Sequence, residues 1–358
     1  MNRFSTKTKI KLYLSLFFAW AALAAMLLFK HFPRAFFPGY RHFSAGVLNM
    51  LSIVTSVAAF SVWDILLVVL VALLLFWLFK RRFANIVLLV TAAFCFAVFG
   101  WLLNHYAPPL SENFGLKVEP TSEEDLIETT EYMLDKAVEY SLKIDRDDYD
   151  FYELAEICGR SYMGLEGFEK GASGRVKRFS LIGEYLMYNG IVGMFMPLTA
   201  EASVPYSVPD IPLPYSMVHE AAHRLGIASE QEANFAAFVA CSKSDDKRLV
   251  YSGYYEAFIY CYNALYRVDK DAAIELYASH EGTEMLREDM RRTAEAYAKY
   301  DSPLQQVSDK VNDTYLKAFG HESGVMSYGE VVDYLIAYYK TLLNIQEANE
   351  GELYDEME

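Results

Sequence analysis

A five-residue stretch carries three residues with the types and spacing of a metal-dependent hydrolase. Residues 219–223 read His-Glu-Ala-Ala-His, and residues four apart lie on the same face of an α-helix. Both imidazoles can therefore reach one zinc ion at the roughly 2.0–2.1 Å of a zinc–nitrogen bond. Glu220 would stand beside the ion and accept a proton from the attacking water. The pattern predicts Zn²⁺ ligands at His219 and His223 and a catalytic base at Glu220.

The residues after this motif offer a third ligand. Gly226 lets the chain leave the helix, and Ser229 is a suitable N-cap for a second one. With Ser229 as N-cap, Glu232 takes the third position of a capping box, and its carboxylate would bond the Ser229 N–H. Glu230 is then the freer ligand, and Asn234 lies one turn further on the same face, where it could hydrogen-bond to Glu230. Glu230 is the preferred third ligand, and Glu232 is the alternative.

A structural zinc site is the main competing interpretation of these residues. Such a site is closed by four protein ligands, and the sequence between residues 219 and 234 holds no further His or Cys. This favours a zinc peptidase acting on a peptide or protein substrate. The alternative is a catalytically inactive zincin-like membrane protein that serves as a binding or scaffold module.

The sequence around the motif resembles known peptidases. Glu-Gln-Glu-Ala-Asn at 230–234 resembles the gluzincins, whose third zinc ligand is a Glu in an E-x-x-A-[DN] setting on a later helix. More extensively, the chain is similar to the bacterial membrane-protein family catalogued as domain of unknown function 3810, which is placed with the zinc peptidases. The similarity is carried by MPLTAEASV, LPYSMVHEAAHRLGIASEQEANFAAFVAC and VSDKVNDTYLKAFGHESGVMSYGEVVDYLIAYY. It implies a hydrolase fold with no established substrate. The short gap between His223 and Glu230 departs from better-known gluzincins and leaves the third ligand open.

Three apolar stretches precede this region, and each is long enough to cross a hydrocarbon core roughly 30 Å thick. They predict a membrane domain over residues 1–104 and a metallopeptidase domain over 105–358, with transmembrane helices at about 10–29, 62–79 and 84–103. A cleaved signal peptide is the alternative for the first stretch, but its apolar region exceeds the usual 7 to 15 residues. Asp64, at the start of the second, is interpreted as a helix cap.

The charges divide the chain at the same point. Up to Leu103 there are ten basic residues and one acidic residue; subtracting these from the totals of 32 and 47 leaves 22 basic and 46 acidic, a net charge of −24. A domain this acidic repels polyphosphate, so nucleic acid is not expected as a partner. Basic residues before the first span and at 80–82 are expected in the cytoplasm, which puts the peptidase domain outside. The stretch 45–60 is apolar enough to lie on or dip into the bilayer.

The fold class is expected to be mainly α, with a predominantly helical zincin-like domain and a small β-sheet. A helix should begin at residues 121–122 and end near 142, and residues 190–196 read as a strand. Residues 194–204 could bind substrate as an edge strand or form an ordinary core strand. Further helices are expected at 215–225, 230–242, 251–267, 269–279, 283–299, 303–319 and 327–345, with breaks near glycines that include Gly253.

The remaining polar candidates receive simpler interpretations. Arg224 is interpreted as a surface charge, and His321 as a solvated loop residue. Tyr251, Tyr254, Tyr255 and His280 could donate a hydrogen bond to an oxyanion, but none is assigned that role. The four cysteines lack CxxC spacing, so neither a disulfide framework nor a cysteine zinc site is expected.

Overall fold

The structure, a computed structural model, describes residues 5–118, 122–168, 174–318 and 330–355. It confirms a mainly helical fold in which three apolar N-terminal helices precede a helical domain with a small sheet. The helices are α1 Thr6–His31, α2 Pro33–Ser56, α3 Val62–Phe79, α4 Phe83–Gly100, α5 Glu123–Ser141, α6 Phe151–Gly159, α7 Gly183–Tyr188, α8 Leu213–Arg224, α9 Glu230–Ser242, α10 Lys247–Val268, α11 Lys270–Ser279, α12 Glu284–Ala298, α13 Leu304–Ala318 and α14 Glu330–Asp355. Residue 319, residues 327–329 and His321 lie outside the described residues.

Helices α1, α3 and α4 are long and apolar enough to cross a membrane. Helix α4 lies between the other two and packs most closely on α1. Trp101 ends α4, and a 3₁₀ turn at Leu102–Tyr106 follows. The third span is therefore shorter than the predicted stretch, because its last residues leave the α-helix.

Residues 33–56 form a full helix, α2, where the sequence indicated only an apolar stretch. Pro33 stands in its first turn, a position that proline favours because no N–H is needed there. One face is buried against the ends of α1 and α4, and the Ser44 hydroxyl donates to the Gly100 carbonyl at 2.8 Å. Helix α2 thus crosses the ends of the apolar helices before α3 begins.

A three-stranded sheet lies beside this crossing. Its strands are β1 Lys177–Phe179, β2 Met194–Met196 and β3 Glu201–Pro205. Strand β3 is central, parallel to β1 and antiparallel to β2. Residues 194–204 were predicted to form either an edge strand or a core strand. They contain one of each: β2 is at the edge, whereas β3 is buried in the middle of the sheet.

The helical domain is built around α10, which packs against α5, α8, α9, α11 and α14. Gly253 lies within α10 rather than at a helix break, so that prediction was wrong. A Cβ on Gly253 would lie 2.6 Å from the Cβ of Cys241. Glycine is needed at this position for the close approach of α9 and α10, not for a turn.

Three charged side chains join the sheet to the apolar helices. Glu201 of β3 accepts hydrogen bonds from the Val62 and Trp63 amides, at 2.9 and 2.8 Å, and so caps α3. Asp64 caps nothing in its own helix: its Oδ2 accepts from the amides of Ser180 and Leu181, which follow β1. The interpretation of Asp64 as a helix cap was wrong because a carboxylate distant in sequence already satisfies the α3 amides. Lys177 donates to the carbonyls of residues 55 and 58 at the end of α2.

Candidate metal centre

Helix α8 presents two imidazoles to one point. Residues 213–224 are buried except for the partly exposed His219, and His219 and His223 lie one turn apart on the same face. Their rings are nearly perpendicular, with centroids 4.7 Å apart, and the two Nε2 atoms are 3.1 Å apart. The two Nε2 atoms therefore face the same small volume.

Glu230 completes the cluster from the next helix. Gly226 takes a φ of +89° and ends α8, and three residues later Ser229 is the N-cap of α9. Glu230 Oε2 lies 3.3 Å from His219 Nε2 and 3.7 Å from His223 Nε2. Ligand atoms of a tetrahedral zinc ion, bound at about 2.0–2.1 Å, lie roughly 3.3 Å from one another. The three atoms are therefore spaced as zinc ligands.

The surroundings of His223 fix its ring. Nδ1 lies 2.7 Å from the Ile227 carbonyl oxygen, which can only accept, so the neutral ring carries its proton on Nδ1 and leaves the Nε2 lone pair for a metal ion. The His223 carbonyl accepts from the Trp101 indole N–H at 2.9 Å. Trp101 was not a candidate in the sequence, although tryptophan at the end of an apolar span is a common signal of the membrane interface.

Electrostatics favour a cation at this cluster. Burial raises the pKa of Glu230, but the two imidazoles lower it by a larger amount. The net pKa of Glu230 therefore lies well below its usual range. For His223, burial opposes the charged ring, yet the neighbouring Glu230 carboxylate raises the pKa to about 9. The partly buried Glu230 carboxylate beside two imidazoles is thus stabilised by positive charge, which either a proton or a metal ion can supply.

Glu220 lies beside the cluster and is 5% exposed. Burial raises its pKa to about 7, and its Oε2 makes no hydrogen bond to any residue that the structure describes. A Cβ on Gly193, which precedes β2, would lie 2.4 Å from Glu220 Oε1. Because Gly193 has no side chain, there is room for the Glu220 carboxylate. The backbone just before the edge strand therefore lies in contact with the candidate base.

The alternative ligand Glu232 points elsewhere. Its Oε1 accepts from the Leu110 amide at 2.7 Å and from the Tyr334 hydroxyl at 3.0 Å, and burial raises its pKa. The predicted capping box is not formed, although Ser229 is the N-cap as expected. The predicted bond between Asn234 and Glu230 is also absent, because the Asn234 side-chain N–H₂ donates to no described residue.

Glu232 therefore gives a prediction that separates structure from metal binding. Glu232→Ala removes the acceptor of two buried donors, so we expect a loss of about 1–3 kcal/mol in stability, with zinc binding retained. Thermal unfolding and metal content of the purified variant would measure both. Loss of zinc from a folded Glu232→Ala protein would reassign the third ligand.

Arg224 is buried rather than on the surface, and this correction explains how α8 is held. The side chain is 2% exposed, and Nη2 donates to the Gly159 carbonyl at the end of α6, at 2.9 Å. Burial lowers its pKa to about 10. Helix α6 was not predicted, so the sequence offered no buried partner for this guanidinium.

The other polar candidates make contacts of their own. The Tyr251 hydroxyl donates to Asp289 at 2.7 Å, and the Tyr254 ring packs against Phe238. His280 Nε2 lies 2.7 Å from Asp135. None of these contacts involves the cluster of His219, His223 and Glu230.

Comparison with known protein families identifies the family of this chain. A family model described as "Protein of unknown function (DUF3810)" matches residues 40–336, which is most of the chain. The chain belongs to this family. The match begins within α2 and ends within α14, so it includes the apolar helices α3 and α4 and the whole cluster of His219, His223 and Glu230. Searches among curated proteins and among solved structures gave no significant match.

Proposed function

We propose that this member of the family is a zinc-dependent peptidase of gluzincin type. The observation that carries the proposal is the convergence of His219 Nε2, His223 Nε2 and Glu230 Oε2, whose separations match those of zinc ligands. Two imidazoles and one carboxylate form a three-ligand set typical of catalytic zinc, which keeps a position for water or substrate. Among the described residues, no other group of three or more His, Cys, Asp or Glu side chains converges in this way.

Zinc bound here would supply a Lewis acid that polarises the substrate carbonyl and makes water more acidic. Glu220 would accept the proton of the attacking water and deliver it to the leaving amine. Its buried position beside the ligand cluster supports this role, because a general base must lie within reach of the water it activates. The carboxylate oxygen without a hydrogen-bond partner is available to the water.

Strand β2 is suited to hold the substrate backbone. It is the edge of the sheet next to α8, and Gly193 at its start touches Glu220. A peptide that adds to this edge by main-chain hydrogen bonds would pass directly in front of the candidate base. The interpretation of β2 as a substrate strand is part of the proposal.

Purified full-length protein in detergent provides the test. We expect about one zinc ion per chain and cleavage of a fluorogenic peptide library. The full chain is required because Trp101 and α2 contact the residues around the site. Folded protein without zinc would contradict the proposal, whereas zinc without cleavage would favour the binding or scaffold alternative.

We also propose that the site lies outside the cytoplasm. Lys11 at the start of α1 donates to Asn85 at the start of α4, so the basic N-terminus and the Lys80–Arg82 turn share one end of the bundle. The acidic domain lies at the opposite end. Positive residues favour the cytoplasmic side of a membrane.

A fusion to the C-terminus of the full chain would establish this orientation. Alkaline phosphatase, which folds only outside the cytoplasm, is expected to be active there, whereas a green fluorescent protein fusion is expected to be dark. Bright fluorescence with inactive phosphatase would place the site in the cytoplasm.

A further inference from the structure

The candidate metal centre contacts the residue that directly follows a helix long and apolar enough to cross a membrane. Helix α4 ends at Gly100, and the next residue, Trp101, donates its indole N–H to the carbonyl of the ligand His223. The same ring packs against Phe195 of the edge strand, with centroids 5.3 Å apart. No spacer therefore separates the site from the end of this span.

The other face of the edge strand rests on a second span. Met194 and Met196 pack in a cluster with Trp63, which lies in the first turn of α3. Met196 is paired with Glu201, whose carboxylate caps α3. Strand β2 is thus held between two tryptophans at the ends of apolar helices, and tryptophan concentrates at the membrane–water interface.

Helix α2 has the features of a helix that lies in the membrane surface. It is about 36 Å long at 1.5 Å per residue, and its buried face runs from the ends of α1 and α4 to the sheet, where Leu48 contacts Trp101 and Phe195. A neighbouring face, about 120° around the helix from the buried one, exposes an apolar row with a spacing near seven residues, which places its members on one face. The row comprises Phe36, Phe43, Met50 and Val54 of the helix and the C-cap residue Val57, which are 43 to 90% exposed.

This apolar row follows in the chain directly on the exposed apolar residues of α1, a helix that can cross a membrane, which favours the bilayer as its occupant. Phe32, at the joint of α1 and α2, and Leu28, in the last turns of α1, are also exposed. An amphipathic helix buries such a face about 5–10 Å into the headgroup region. Helix α2 therefore fixes the level of the site relative to the membrane.

Resting on the proposed peptidase function, we propose that the substrate is the juxtamembrane segment of a membrane-anchored polypeptide. A substrate strand on β2 would lie about 4.8 Å from it, which is the spacing of neighbouring strands. Because β2 contacts Trp63 and Trp101, that substrate strand is held at the level of the interface. The scissile bond then lies within a few residues of the point where the substrate leaves the bilayer.

The test uses the full chain reconstituted in phosphatidylethanolamine–phosphatidylglycerol vesicles. One fluorogenic peptide library is coupled to a phospholipid through a spacer of either three or 30 residues, at equal surface density. Both libraries are concentrated on the vesicle equally, so only the distance from the surface differs. Because the local concentration of a tethered group falls steeply with tether length, we expect roughly tenfold or faster cleavage with the short spacer.

The outcomes separate this inference from the proposed function. Cleavage confined to the long spacer, or equal for both, would overturn the juxtamembrane assignment and leave the peptidase intact. Zinc-loaded protein that cleaves neither library, nor the same peptides free in solution, would overturn the peptidase itself. The Glu220→Gln protein in the same vesicles is the blank for contaminating proteases.

Discussion

Replacing both His219 and His223 with alanine is expected to remove zinc from the purified chain and to abolish peptide hydrolysis. The two imidazoles supply two of the three convergent ligand atoms, and Glu230 alone cannot retain the ion. Plasma mass spectrometry on gel-filtered protein would measure the zinc, and the library assay would measure the activity. Helicity by circular dichroism would show that the variant is folded.

Two further variants make this result specific. Glu230→Ala should also lose zinc. Glu232→Ala, the same substitution two residues further along the same helix, should retain it. His280→Ala removes an imidazole that pairs with Asp135 away from the cluster and should keep both zinc and activity. A double variant that still holds zinc with unchanged affinity would rule out the proposed ligand set.

Glu220→Gln is expected to keep zinc and to lose turnover by about 10²–10⁴-fold, the usual contribution of a general base. The amide has the shape of the carboxylate but cannot accept a proton near neutral pH. Because Glu220 is not a proposed ligand, the metal content should equal that of the unmodified chain. Glu275→Gln, on the exposed side of α11, is the matched control and should be fully active. Full activity in Glu220→Gln would refute the assigned role.

Gly193→Ala tests whether turnover depends on the position of the Glu220 carboxylate. The added methyl group would lie 2.4 Å from Glu220 Oε1 and 2.8 Å from Cδ, so the buried carboxylate must move. Turnover should fall while zinc stays bound. Unchanged turnover in this variant would show that the position of Glu220 is not critical.

Local sequence was sufficient to predict the first part of the site. The spacing of His219 and His223 requires only a helix, and the turn at Gly226 with the N-cap at Ser229 follows from the conformational preferences of these residues. Both helices lie within two residues of their predicted bounds. Short-range rules therefore predicted the close approach of His219 and His223 and favoured Glu230 over Glu232 as their neighbour.

Long-range contacts explain what the sequence did not predict. Glu232 binds Leu110 and Tyr334, 122 and 102 residues away in the chain, instead of forming the local capping box. Glu201 of β3 caps α3, and Asp64 of α3 binds the amides that follow β1, and no local pattern predicts either contact. Strand β1 was missed because three residues are too few for a periodic signal.

The hydrogen bond from Trp101 to His223 ties the chemistry to the thickness of the lipid. Helix α4 spans only 18 residues before Trp101, so a bilayer of different thickness must change the tilt or depth of this helix. Any such displacement pulls on the carbonyl of the proposed ligand His223, whose ring orientation depends on the Ile227 carbonyl four residues later. Lipid composition would then tune turnover without any lipid molecule entering the active site.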